Sequence, residues 1–316
     1  MRRRYAVLGT GALGGFYGGC LAKAGFEVHF LMRSDAAAAR ERGLLVDSAS
    51  HGRFRVEPAH VYEDPADLPD CDVALVCFKS TSNDRFGELL PAAVREGTTA
   101  VVMQNGLGVE AQAAAVIGAE RLLGALCFLC STKTGPAEIH HLDYGDIRLG
   151  RYRADGSAGG VDEEMRGIAA DFEAAGITAN LVEDLTLARW QKLVWNVPYN
   201  GLSVVMRATT DRLMGHPAMR GAVASLMDEV AAAAHAASGR VIERSFIEEM
   251  LDRTDRMRPY RPSMLVDFEA GRPLEVGAIF EAPLAEAVAA GCDTAGLALL
   301  TAQLRLIADG MRIGAS

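Results

Sequence analysis

Three glycines near the start of the 316-residue chain have the spacing G-x-G-x-x-G, in the stretch "GTGALGG" at residues 9–15. This stretch follows an apolar run, "RYAVLG" (4–9), and leads into a helix-like segment and a second apolar run, "EVHFLM" (27–32). That order predicts a βαβ unit whose turn binds the pyrophosphate of a dinucleotide. The alternative is a glycine-rich turn with a purely structural role. Because phosphates bind N–H groups at a helix N-terminus, we expect the contacts to come from Gly9, Thr10, Gly11, Ala12, Leu13 and Gly14.

Two further apolar runs, "DVALVCF" (72–78) and "TTAVVMQ" (98–104), are rich in Val and do not alternate with polar residues. Strands that are apolar on both faces predict a parallel sheet covered by helices. We also expect a hairpin insertion within 44–62 and a β-rich stretch, 124–150, that closes the sheet. After about residue 184 the apolar pattern is helical, most clearly at 225–239, 245–257 and 274–291. The sequence therefore predicts an α/β protein, with a Rossmann-type cofactor domain at 1–184 and an all-helical substrate and catalytic domain at 185–316.

The composition excludes several classes of partner. A net charge of −9 argues against nucleic-acid binding, which needs a basic face. No apolar run approaches the roughly 18 residues that span a bilayer, so we expect a cytoplasmic protein without a membrane partner. The six cysteines include one CxxC pair, Cys127 and Cys130. A single pair of this kind is weak evidence for metal, so we expect core thiols and no metal site.

The residue after the second strand indicates which nicotinamide cofactor is bound. NAD sites place an acidic residue there, whereas this chain has Arg33 in "LMRSD". A guanidinium suits the 2′-phosphate of NADP, so we expect NADP, that is NADPH as reductant. Asp35 is an alternative NAD-type acceptor, and a solvated Arg33 is another interpretation. Lys79 and Asn105 follow later strands, at the edge where such folds bind ligands; their alternatives are a solvated lysine and a turn residue.

A polar stripe crosses an otherwise apolar segment, "RWQKLVWNVPYNG" (189–201). On a helix, Lys192, Asn196 and Asn200 would lie within about 80° of one another. Pro198 is expected to kink this helix and free a carbonyl group. An aqueous cleft between two domains explains the stripe better than its alternative, a buried polar network. Ketone reduction by hydride builds negative charge on the carbonyl oxygen, and Lys192 can stabilise that charge and donate a proton.

Taken together, these segments resemble the ketopantoate reductase (2-dehydropantoate 2-reductase) family over essentially the whole chain. The resemblance rests on "GTGALGG", "QNGLG" (104–108), "WQKLVWNVPYN" (190–200) and "RPSMLVDFEAGRPLE" (261–275), of which the last two are the specific ones. It implies NADPH-dependent reduction of 2-dehydropantoate to pantoate, on the route to pantothenate and coenzyme A.

The resemblance also implies roles for individual residues. Lys192 would be the proton donor, and Glu275 would lie near the nicotinamide ribose and the reacting oxygen. Asn105 would lie between nicotinamide and substrate, and the Cys130 backbone would line the cofactor, whose ribose-phosphate end would meet Lys79 and Arg33. Substrate would be bound by Asn196, Asn200 and Ser263.

Some of these positions have other interpretations. Without the family, Ser263 reads as a helix N-cap and Glu275 as an acid in the first turn of a helix. Thr210 stands where some members have a substrate-binding asparagine, so another 2-oxo acid is an alternative substrate. A non-catalytic NADP-sensing protein is a third hypothesis, although a sensor would not need Lys192. The sequence does not determine the oligomeric state, and a homodimer is one assembly that it allows.

Overall fold

The computed structural model describes residues 2–57 and 59–313, without the side chains of residues 312 and 313. Two compact units divide the chain. The first contains the residues up to Asn105 together with Val109–Leu185. The second contains Gly106–Gly108 and the chain from Thr186 onward. The short segment Gly106–Gly108 therefore belongs to the second unit. The sequence had predicted a single boundary, after residue 184, and not this segment.

The described part of the first unit forms one ten-stranded sheet. Its strands are β1 (Arg4–Leu8), β2 (Glu27–Leu31), β3 (Leu44–Ser48), β4 (Gly52–Val56), β5 (His60–Tyr62), β6 (Val73–Val76), β7 (Thr99–Val102), β8 (Leu122–Gly135), β9 (Glu138–Arg151) and β10 (Ala179–Val182). The order is β4-β3-β9-β8-β7-β6-β1-β2-β5, with β10 beside β9. The four strands expected from the apolar runs, β1, β2, β6 and β7, are parallel, which confirms the predicted fold class.

The expected hairpin and closing strands are also present. β3 and β4 pair antiparallel, and so do the long strands β8 and β9. β4 and β5 lie at opposite ends of the strand order, although Val56 and His60 are only four residues apart. Four residues span at most about 14 Å, so the sheet must curl until its two ends approach each other. Neither the pairing of β5 with β2 nor the strand β10 had been predicted from the sequence.

The described residues of this unit include five α-helices: α1 (Ala12–Lys23), α2 (Ala36–Arg42), α3 (Phe86–Ala93), α4 (Val109–Ile117) and α5 (Glu163–Ala174). The glycines of α1 face the curled sheet. A Cβ on Gly15 would lie 2.6 Å from a side-chain carbon of Ile139, and one on Gly18 would lie 2.7 Å from the ring of Phe30. Glycine at these positions therefore lets α1 pack close to strands from both halves of the sheet.

The regular secondary structure in the described part of the second unit is all helical, as predicted. Its α-helices are α6 (Leu185–Met206), α7 (Thr210–Met214), α8 (Pro217–Ser238), α9 (Arg244–Arg256), α10 (Ser263–Glu269), α11 (Ala282–Ala289) and α12 (Ala295–Ile313). A π-helical turn, Gly277–Glu281, precedes α11. Trp190, Val194 and Val197 of α6 pack in the core with α8 and α12. Among the described helices, none is both long and apolar enough to span a membrane.

Candidate active site

The glycine turn after β1 has the geometry that its spacing predicts. Gly9 has φ +92°, and a Cβ there would lie 2.7 Å from the backbone nitrogen of Phe78. A Cβ on Gly14 would lie 2.3 Å from the carbonyl oxygen of Gly9 and 2.9 Å from Val7 on β1. A Cβ on Gly11, by contrast, would meet nothing within 4 Å. Gly9 and Gly14 are therefore fixed by packing, whereas Gly11 leaves an open surface over the turn.

That open surface lies at the N-terminus of α1. Gly11 is the N-cap, and its carbonyl accepts the first helical hydrogen bond, from Gly15 N at 2.8 Å. The N–H groups of Ala12, Leu13 and Gly14 come before this bond and have no acceptor within the helix. No acidic side chain lies in the first turn. These features suit an anion, so the residues present fit a cofactor pyrophosphate.

The loops after β6 and β7 join the same edge of the sheet. The backbone N–H groups of Cys77 and Phe78 donate to Leu8 O at 2.9 Å and 3.1 Å. Gln104 Nε2 donates to Phe78 O at 2.8 Å and to Asn83 Oδ1 at 2.7 Å. This brings the segments that carry Lys79 and Asn105 to the glycine turn. The sequence had not predicted that Gln104 joins these two loops. The feature that could have indicated it was its position directly before Asn105.

Arg33 is exposed and lies two residues beyond the end of β2. The hydroxyl of Thr10 donates to Leu31 O at 3.4 Å, so the glycine turn and the end of β2 are neighbours. Asp35 is buried, and its carboxylate oxygens accept from Lys133 Nζ at 2.6 Å and from Ala137 N at 3.1 Å. These bonds disfavour the alternative in which Asp35 binds the ribose 2′-hydroxyl.

Cys127 and Cys130 lie on β8 as buried thiols outside any disulfide bond. The thiol of Cys127 donates to Met103 O at 3.7 Å. Ser131, the neighbour of Cys130, donates from its hydroxyl to Ala12 O at 3.5 Å. β8 therefore passes beside the glycine turn at Ser131, next to the residue that was expected to line the cofactor.

The polar stripe lies on α6 in the second unit. Lys192 is half-buried, Asn196 is 5% exposed and Asn200 is 2% exposed. Asn196 Nδ2 is buried and has no hydrogen-bond partner among the described residues. The helix continues unbroken across Pro198, so the expected kink does not end it. Proline has no N–H, and the Val194 carbonyl therefore lacks its usual helical donor.

Asn200 holds the start of α10. Its Oδ1 accepts from Met264 N at 3.1 Å and from Ser263 Oγ at 3.4 Å. The N-cap of α10 is Pro262, with ψ 154°, and Ser263 is the first helical residue. The interpretation of Ser263 as an N-cap is therefore wrong, because the Asn200 side chain supplies the capping acceptor. The structure brings the side chains of Asn200 and Ser263 within hydrogen-bond distance of each other.

Glu275 and Thr210 are both buried. Glu275 precedes the π-helical turn, and its carbonyl accepts from Ile279 N at 3.3 Å. Thr210 forms a reciprocal pair with Tyr260: Thr210 N donates to Tyr260 O at 3.0 Å, and Tyr260 N donates to the Thr210 hydroxyl at 3.2 Å. Thr210 therefore joins α7 to the segment before α10, and its hydroxyl still has a proton to donate. No sequence signal had indicated Tyr260.

Family models match both parts of the chain. "Ketopantoate reductase PanE/ApbA" matches residues 5–154, and "Ketopantoate reductase PanE/ApbA C terminal" matches residues 184–308. A 2-dehydropantoate 2-reductase of Nostoc sp. is 48% identical over 99% of this chain and 97% of its own length.

Solved structures agree with the family models. The 2-dehydropantoate 2-reductase of Geobacter metallireducens is 38% identical, with a TM-score of 0.92, over 96% of this chain and 99% of that one. A ketopantoate reductase of Staphylococcus aureus described as dimeric has the same fold, with 20% identity and a TM-score of 0.82 over 98% of this chain and 99% of that one. With both halves matched and near full-length identity of 48%, the chain belongs to the ketopantoate reductase family.

Proposed function

We propose that this protein reduces 2-dehydropantoate to pantoate with NADPH. The observation that carries the proposal is the 48% identity to a 2-dehydropantoate 2-reductase over almost the whole of both chains. Other supports are the open glycine turn of the first unit and the polar stripe on α6 of the second. The first unit is the NADP-binding domain, and the helical unit supplies the substrate and catalytic groups.

The cofactor is bound through the edge of the sheet that carries the glycine turn. The N–H groups at the start of α1 bind the pyrophosphate, and Gly11 leaves room for it. Arg33 binds the 2′-phosphate, and Lys79 reaches the same ribose-phosphate end. The backbone at Cys130 lines the cofactor beside Ala12, a position supported by the bond from Ser131 to Ala12 O.

Bound NADPH supplies the hydride that adds to the ketone carbon of the substrate. Lys192 stabilises the negative charge that develops on the carbonyl oxygen and donates a proton to that oxygen. The lysine then regains its proton from solvent, which balances the reaction. Glu275 is a buried carboxylate that would lie near the reacting oxygen and the nicotinamide ribose, as the family pattern implies.

Asn196 and Asn200 bind the substrate along one face of α6. The Asn196 Nδ2 group is buried and has no partner among the described residues, and such a group normally has an acceptor. A carboxylate or hydroxyl oxygen of the substrate fits this need. Asn200 positions Ser263 for a second contact, Asn105 contacts substrate and nicotinamide, and Thr210 contributes a hydroxyl proton.

We place the enzyme in the cytoplasm as part of this proposal. None of its six cysteines, all of which the structure describes, forms a disulfide bond, as is usual in a reducing compartment. A homodimer is the assembly we propose, supported by the dimeric relative of the same fold. Gel filtration with light scattering measures the mass directly, and a mass of one chain would refute the dimer.

A substrate panel tests the proposed activity. The purified protein is mixed with NADPH and each of several 2-oxo acids, and the loss of NADPH absorbance is followed. The highest kcat/KM is expected for 2-dehydropantoate. A higher value for a 2-oxo acid without the hydroxymethyl group would assign another substrate. No turnover with any of them would support a non-catalytic NADP-binding protein.

A further inference from the structure

Asp35 lies close to the expected 2′-phosphate site and carries the wrong charge for it. It is two residues beyond Arg33, directly before α2, and only 6% exposed. An ionised carboxylate at this place would repel a phosphate and could accept from the 2′-hydroxyl of NADH. A buried carboxylate is also costly unless it is paired. The structure therefore has to neutralise Asp35 if this edge of the sheet is to prefer NADPH.

The hairpin of β8 and β9 supplies the neutralising contacts. Lys133 Nζ lies 2.6 Å from Asp35 Oδ1, and Ala137 N donates to Oδ2 at 3.1 Å. Burial by itself would raise the pKa of the Asp35 carboxyl. The hydrogen bonds from Lys133 and Ala137 and the charge of Lys133 more than offset burial and hold the pKa below its usual value. Asp35 is therefore an ionised group whose two oxygens both have partners.

The hairpin is itself held in place on this edge. Ser131 and Lys133 are two residues apart on β8, so their side chains point to the same face. Ser131 contacts the turn after β1, through Ala12 O, and Lys133 contacts the loop after β2, through Asp35. At the tip of the hairpin, Ala137 has φ +57°, a conformation that is uncommon for a residue with a Cβ. Its N–H is thereby directed to Asp35, while its carbonyl accepts from Leu45 N at 2.9 Å.

We infer that Lys133 is a specificity-determining positioning residue for NADPH, acting through Asp35. By pairing with Asp35, Lys133 cancels the carboxylate charge near Arg33 and keeps its oxygens from the ribose. The formal charge of Arg33, Asp35 and Lys133 together is then +1 instead of the zero that Arg33 and Asp35 would give alone. This inference rests on the proposed function, because it assumes that the 2′-phosphate binds beside Arg33.

The test is a titration of NADPH and of NADH binding to the full-length protein, followed by fluorescence. Lys133→Met should weaken NADPH binding by about fivefold, or about 1 kcal/mol, the scale of an interaction between two unit charges that water largely screens. NADH binding should stay the same or become tighter. If Lys133 were merely structural, Lys133→Met would weaken the binding of NADPH and of NADH equally, and that outcome overturns the inference.

A second variant checks that Lys133 acts through Asp35. In Asp35→Asn/Lys133→Met the carboxylate charge is gone, so the preference for NADPH should return to within about twofold of the unmodified protein, a coupling that a double-mutant cycle measures. A double variant that stays as impaired as Lys133→Met overturns the inference. Lys133→Arg keeps the positive charge and should keep the preference for NADPH. Loss of that preference in Lys133→Arg would also overturn the inference.

Lys23→Met is the matched control. Lys23 is the last residue of α1, the helix that runs back from the glycine turn, and it donates to His51 O at 2.7 Å. Lys23→Met changes the net charge by the same amount as Lys133→Met, and it should leave the cofactor preference unchanged. If the unmodified protein itself shows no preference for NADPH, the proposed cofactor fails. If that preference exists but is the same in Lys133→Met, only the inference about Lys133 fails.

Discussion

The glycine turn of the first unit and the polar stripe of the second provide binding groups by different means. At the turn, the predicted contacts are backbone N–H groups, and the side chains that matter are the absent ones at Gly9, Gly11 and Gly14. On α6, the predicted contacts are the ends of long or polar side chains, Lys192 and Asn196 among them. A backbone site is specified by local conformation, whereas a side-chain site depends on what surrounds it. The two regions should therefore respond differently to substitution.

The largest effect is expected from Lys192→Ala. Loss of a general acid costs about 10²–10⁴-fold in rate, or roughly 3–5 kcal/mol of transition-state stabilisation. We expect kcat for 2-dehydropantoate to fall by this factor in steady-state assays. Gln191→Ala is the control, because Gln191 is the half-buried neighbour on α6 and lies off the stripe. A structural lysine would instead give a lower melting temperature with near-normal kcat.

Gly14→Ala should produce the next largest effect, and on stability. The new Cβ would lie 2.3 Å from Gly9 O and 2.9 Å from Val7, both of which are backbone or core atoms that cannot easily move. Overpacking of this kind typically costs about 1–3 kcal/mol. Urea denaturation should show that loss of unfolding free energy, together with weaker NADPH binding. An unchanged denaturation midpoint would mean that the close packing of α1 on β1 is not as described.

Arg33→Ala should have a smaller effect, confined to one cofactor. Removing the cation from the 2′-phosphate should raise KM for NADPH about tenfold, equivalent to about 1.4 kcal/mol. KM for NADH should change little, because NADH has no phosphate there. Equal kcat/KM for the two cofactors in the unmodified enzyme would contradict the assignment. An equal loss of kcat/KM for NADPH and NADH in Arg33→Ala would also contradict it.

These cases show how much of the molecule could be predicted from the sequence. The glycine spacing and unbroken apolar strands predicted the parallel sheet, because both depend on local chemistry. β5 begins only four residues after β4 ends, yet it pairs with β2 at the opposite end of the strand order. That pairing depends on how the sheet curls. A linear pattern contains no signal for this.

The site divides in the same way. The stripe on α6 could be read from four-residue spacing, but the partners of its residues could not. The capping of α10 by Asn200 joins residues 64 positions apart. The pair of Asp35 and Lys133 spans 98 positions. Sequence reasoning therefore named Asp35 as an alternative ribose ligand without knowing that its oxygens were engaged.

The smallest predicted effect concerns acid stability of the first unit. His141 is 1% exposed; its Nε2 lies 2.9 Å from Tyr144 O and 3.0 Å from Asp143 O, and its Nδ1 lies 2.7 Å from Ser48 Oγ. Because Nε2 faces two acceptors, it carries the proton, and Nδ1 accepts from Ser48. Burial lowers the pKa of His141, against weaker opposing effects of its carbonyl and carboxylate neighbours.

A lowered histidine pKa means that the unfolded chain takes up the proton first as the pH falls. The stability that neutral His141 provides is complete above about pH 6.5 and is lost as the pH falls from there to the folded-state pKa, by at most about 1.4 kcal/mol per pH unit. Denaturation at about pH 7 and about pH 5.5 measures the loss, which should shrink in His141→Gln. The exposed His216→Gln is the control. Equal pH dependence in all three proteins would contradict this assignment.

The central claim is that the glycine turn binds the cofactor and that Lys192 on α6 acts in catalysis. It is tested most directly by measuring NADPH Kd and kcat in Gly11→Ala and Lys192→Ala side by side. Gly11 has open space around its Cβ position and φ −82°, so alanine fits the fold but obstructs the approach of the pyrophosphate. We predict that Gly11→Ala weakens NADPH binding and, at saturating NADPH, keeps most of kcat. We predict that Lys192→Ala binds NADPH within about twofold of the unmodified enzyme while kcat falls at least about 100-fold. A Lys192→Ala protein that binds NADPH normally and reduces 2-dehydropantoate at close to the original kcat would contradict the account.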